Sequence, residues 1–128
     1  MKGVDIMKVL SLIVLTGALA AAHHSFDAEY DANKTATLTG IVTKVDWVNP
    51  HAYIFMNIKD DSGTSKEIRV ELGPPYALVR GGWKRDTVKI GDKITVEGAA
   101  LAKDGRNWAG SMPTTQLVLT SGEKLPMR

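Results

Sequence analysis

The run from Thr37 to Val48, TLTGIVTKVDWV, is rich in β-branched residues and carries apolar side chains on both faces of a regular strand. Successive strand side chains alternate, so Ile41, Val45 and Trp47 fall on one face and Leu38, Val42 and Val48 on the other. A strand with one solvated face would instead place polar residues at every second position. Gly40 sits early in the run, where a missing side chain permits a bend. A long strand that bends at a glycine and serves both sides of a small barrel meets these constraints. Asn49-Pro50 ends it.

The residues that follow keep the same character. His51 to Lys59 (HAYIFMNIK) alternates, with Ala52, Ile54, Met56 and Ile58 on one face and His51, Tyr53, Phe55 and Asn57 on the other. Asp60-Asp61-Ser62-Gly63 is a hairpin turn. Ser65 to Leu72 places Ile68, Val70 and Leu72 inward and Glu67, Arg69 and Glu71 outward. Pro75 to Arg80 reads as a short helix, with Pro suited to its first turn and Gly81-Gly82 to its end. Lys93 to Ala99 is a fourth strand, with Ile94 and Val96 inward. Asn107 to Met112 starts a fifth, and Thr115 to Leu119 with Gly122 and Leu125 closes a final hairpin. The expected class is all-β: a small OB-fold-like barrel of five to six strands with one short helix between strands three and four. Another small all-β sandwich is the alternative.

Residues 9–22, VLSLIVLTGALAAA, follow Lys8 and end in small residues, the pattern of a secretory signal peptide. The run is short for a membrane span of about 20 residues, so no stable span is expected after cleavage. The expected division is a signal peptide over 1–22, a polar arm over 23–35 and the barrel over 36–128. The arm reads as extended or as a short helical turn, anchored by Phe26 and Tyr30. Cleavage fits after Ala22 or after Ala20, and Met7 offers a cleaner start than Met1. The expected location is periplasmic or secreted. The 128 residues contain no cysteine, which excludes disulfides, thiolate metal sites and a cysteine nucleophile. With 16 Lys+Arg against 14 Asp+Glu, the charge is too small for a nucleic-acid footprint.

Chemistry must therefore run on other groups. The chain has three histidines, His23 and His24 at the expected mature start and His51 directly after the Asn49-Pro50 break. Imidazole and a free N-terminal amine are nitrogen ligands suited to copper. Cleavage after Ala22 would let the His23 amine and ring chelate one ion, with His51 as a third nitrogen. Cleavage after Ala20 would put His23 third, where amine, backbone nitrogens and imidazole wrap Cu(II) or Ni(II) in a plane. The plain alternative for His23 and His24 is a solvated chain start. Met56 points away from His51 on a regular strand and reads as core. A second constellation, Trp47, Tyr53, Phe55, Trp83 and Arg85, could form a ligand face on the barrel; for Tyr53 and Phe55 the favoured reading is that their rings fill the barrel. Glu67 and Glu71 flank Arg69 and read as exposed ion pairs. No paired-carboxylate or nucleophile arrangement is legible, and no phosphate loop is present.

The stretch HHSFDAEYDANKTATLTGIVTKVDWVNPHAYI, with VELGPPYALVRGGW and the GDKITVEG turn, resembles a family of small exported bacterial proteins of unknown function. The resemblance rests on a mature Ala-His-His-Ser-Phe start and a Trp-x-Asn-Pro-His-Ala segment, and its matching positions include His23, His24, Trp47, His51, Trp83 and Arg85. It implies a periplasmic single domain and carries no activity. Two functional expectations follow. One is a non-catalytic periplasmic domain that binds a transition metal, copper foremost, through His23, His24 and His51. The other is an interaction module that grips a protein, peptide or glycan on the barrel face without metal. An enzyme has the weakest support, because no group beside His51 completes a catalytic set.

Overall fold

Gly40 is the point about which the barrel turns. In the computed structural model, which describes residues 25–128, Gly40 stands in register with Ile58 on one neighbouring strand and Ile94 on the other. A Cβ there would lie 1.9 Å from the Asn57 carbonyl oxygen, so only glycine lets two backbones pass this closely. The strand that carries it, β1, spans Tyr30–Asp46. It begins at Tyr30 rather than at Thr37, so the last six residues of the segment read as an arm belong to the sheet. Residues 25–29 before it are helical (α1).

The remaining elements are β2 (Tyr53–Lys59), β3 (Ser65–Glu71), α2 (Pro75–Arg80), β4 (Lys93–Ala102), β5 (Trp108–Gly110), β6 (Gln116–Val118) and β7 (Lys124–Pro126). The sheet order is β1-β2-β3-β5-β4-β6-β7, and β1 also pairs with β4. That last pairing closes five strands into a ring with the topology expected of an OB-like barrel. β3 and β5 are parallel, and the other pairs are antiparallel. The hairpin β6–β7 extends the sheet beyond β4 and brings the strand count to seven, above the five to six expected. The helix lies between β3 and β4 as its Pro and Gly boundaries indicated, and it sends Leu78 into the core.

The core is one cluster built from Leu38, Val42, Ile54, Met56, Val70, Ile94, Val96, Leu117, Met127 and their neighbours. Met56 is fully buried, as its phase on β2 required. The two apolar faces of β1 have a different origin from the one expected. Val42 pairs with Met56 but Lys44 pairs with Phe55, so Thr43 is an extra residue in a β-bulge. The bulge moves the alternation by one position. Leu38 and Val42 before it, and Val45 and Trp47 after it, all pack on the same core.

Candidate functional site

The outer face of β3 carries Arg69, which alternation places opposite Ile68 and Val70. Arg69 does not pair with Glu67 or Glu71. Its guanidinium stacks on the Trp108 ring at 3.6 Å and on the Tyr53 ring at 4.9 Å, and its Nη2 donates to the Tyr30 hydroxyl at 3.1 Å. Glu67 instead accepts from the Thr43 hydroxyl at 2.8 Å. Tyr30 is 1% exposed yet lies outside the barrel core, under α1. Phe26 packs on it with ring centroids 4.9 Å apart, and both rings press against Gly110 on β5. The arm is thereby fastened to the outside of the barrel by two aromatic rings and one arginine. Burial pushes the Tyr30 phenol well above its usual range.

This fastening forms one wall of a cleft of about 290 Å³. Ser25 and Glu29 come from the helical arm, Pro50 and His51 from the β1–β2 loop, Tyr53 from β2 and Glu71 from β3. Phe26 and Arg128 complete it, with the Arg128 guanidinium 4.9 Å from the Phe26 ring centroid. The loop is held because Ala52 exchanges backbone hydrogen bonds with the end of β3: its N–H donates to Gly73 and its carbonyl accepts from Leu72. That exchange sets the half-buried His51 beside the Leu72 carbonyl, with Nδ1 at 3.0 Å from the oxygen. A carbonyl only accepts, so Nδ1 carries the proton, and in the neutral ring Nε2 keeps a lone pair. Glu71 Oε1 stands 4.0 Å from the same Nδ1 and accepts from the Tyr53 hydroxyl at 3.2 Å. Burial raises the Tyr53 pKa, and the Glu71 charge raises it further.

His23 and His24 lie outside the described residues. The chain does join His24 directly to Ser25, which lines the His51 cleft. Among the described residues, no group of three or more His, Asp or Glu side chains is gathered as a metal site. The second constellation does not form one face. Tyr53 and Phe55 project outward from β2, away from Ile54 and Met56, so they do not fill the barrel. Trp83 is almost fully buried, with Nε1 donating to the Pro126 carbonyl at 2.6 Å, and serves the core instead of a ligand. Trp47 packs on Trp83 at 6.3 Å and lines a separate cleft with Arg85. Sequence reasoning missed Glu29, Glu71 and Arg128 as lining residues of the cleft, and it did not join Tyr30 to Arg69 and Trp108. Phe26 and Tyr30, the only large apolar residues of the arm, were the one signal that the arm docks.

A family model matches residues 11–111, and its description is a family of unknown function (DUF6152). No curated protein and no solved structure matches the chain. The match spans the arm, the His51 loop and the five ring strands, and the chain belongs to that family.

Proposed function

We propose, since family membership brings no activity with it, that the chain is an exported, non-catalytic domain whose His51 cleft holds a transition-metal ion. Copper is the first candidate, because the available donors are imidazoles and a terminal amine with no thiolate. The observation that carries this reading is the His51 hydrogen bond to the Leu72 carbonyl. Metal-binding histidines commonly donate the second ring nitrogen to a carbonyl or carboxylate, which fixes the tautomer and the ring plane. His23 and His24 would supply further nitrogens across the cleft that Ser25 opens. Glu29 and Glu71 outweigh the Arg128 guanidinium in the cleft lining, which favours a cation.

The test is metal analysis of untagged protein recovered from the cell envelope, beside a His23/His24/His51 triple alanine variant. Copper near one equivalent in the parent and loss in the variant supports the reading. Near-zero metal in both, after copper loading, overturns it and leaves the outer face of β2 and β3 as a surface for a partner protein, peptide or glycan.

A further inference from the structure

A second cleft, of about 450 Å³, shares no lining residue with the His51 cleft. Val45 and Trp47 from the end of β1 line it, with Arg85, Val88, Lys89 and Ile90 from the α2–β4 connection. The connection is braced by its own hydrogen bonds. Thr87 N–H donates to Lys84, Lys89 N–H to the Asp92 carboxylate, and Gly91 N–H to the Val42 carbonyl on β1. This bracing holds Ile90 outward at 71% exposure, and Val48, next to Trp47, is 49% exposed. Ile90 is the most exposed of the five large hydrophobics on the surface among the described residues.

The surrounding charge is one-sided. Residues 83–93 hold Lys84, Arg85, Lys89 and Lys93 against Asp86 and Asp92. Among the described residues none of those four cations makes a side-chain hydrogen bond or ion pair, and the Asp92 carboxylate is engaged by a backbone amide. The face therefore offers one projecting aliphatic tip and an aromatic ring amid long-stemmed cations.

We infer that this face docks on an anionic lipid surface, with Ile90 entering the acyl boundary, Trp47 beside it, and Arg85 and Lys89 at the level of the phosphates. Charge complementarity selects an anionic occupant. Ile90 lines the cleft and still projects from it at 71% exposure, which suits a fluid boundary. Lysine and arginine stems can lie along the acyl region while their heads stay at the phosphates. Tryptophan is at home at such an interface. The inference is independent of metal binding.

Co-sedimentation tests it, using the full protein in the form the producing cell makes. Vesicles of phosphatidylcholine with phosphatidylglycerol are compared with phosphatidylcholine alone. The expected result is a preference for the anionic vesicles of about tenfold or more, falling as salt rises. Lys89→Ala should weaken binding about fivefold, and Ile90→Ser about tenfold or more. Val79→Ser, which removes an exposed aliphatic from α2 outside this cleft, should leave binding unchanged. A leader that bound through its apolar run would hold both vesicle types alike. Equal binding to both, no binding to either, or equal loss from Val79→Ser and Ile90→Ser overturns the inference. Binding of a soluble polyglutamate peptide at this cleft with vesicles ignored overturns it too, in favour of a protein partner.

Discussion

Gly110→Ala isolates the contact that fastens the arm to the barrel. A Cβ at Gly110 would stand 2.7 Å from Phe26 Cε2 and 2.9 Å from Tyr30 Cδ2 and Cε2. Carbon atoms settle at about 3.5–4.0 Å, so the rings or the strand must retreat by most of an ångström. The strand has little freedom, because β5 is hydrogen-bonded between β3 and β4. The rings must yield, and Tyr30 can yield only by stretching its bond from Arg69 and surrendering its burial. Overpacking of this kind costs about 1–3 kcal/mol, and the anchored Tyr30 puts the expected value near ~2 kcal/mol. For a domain of this size that is a fall in Tm of roughly 10 °C. Urea denaturation followed by tryptophan fluorescence measures it. Combining the change with Phe26→Ala should cost less than the two single changes together, because the methyl then has room on one side. A stability within about 0.5 kcal/mol of the parent would show that the rings do not press on β5, and the fastened arm would fall with it.

Two further outcomes follow from the buried rings. Tyr30 and Tyr53 both have folded pKa values above the ordinary 10.0, so the stability their neutral phenols contribute is complete below that pH and is lost as pH rises through the folded values. Chemical denaturation at stepped alkaline pH should show a steep decline above about pH 10, shallower in Tyr30→Phe. Trp83→Phe leaves the Pro126 carbonyl without its donor and should destabilise by about 1–3 kcal/mol, read from the urea midpoint. An unchanged midpoint would mean that water replaces the indole.

β2, β3 and α2 were legible because each obeys one period from end to end. Ile54, Met56, Ile68 and Val70 alternate without interruption, and Pro75 and Gly81 mark the helix ends. β1 was only half legible, since the extra residue at Thr43 breaks the period while leaving composition unchanged. Its start at Tyr30 was hidden because Asp31, Asn33, Lys34 and Thr35 are polar, and the partners of Asp31 and Thr35 lie far along the chain on β4. The site divided in the same way. His51 stood out as a lone imidazole beside a chain break. Arg69 was masked by its glutamate neighbours, because its true partners, Trp108 and Tyr30, are each 39 positions away. Trp83 carried the chemistry of a ligand-stacking residue, and only the closing strand β7 shows that its polar edge is already spent on the backbone.

The central claim is that His51 and the chain leading into Ser25 share one ion. Electron paramagnetic resonance of the protein loaded with one equivalent of Cu(II) tests it directly, comparing the parent with His51→Ala. The account predicts a nitrogen-rich spectrum in the parent that loses one nitrogen coupling in the variant, together with weaker copper retention. An identical spectrum and identical retention in the variant would place the metal on the arm alone and contradict the shared cleft.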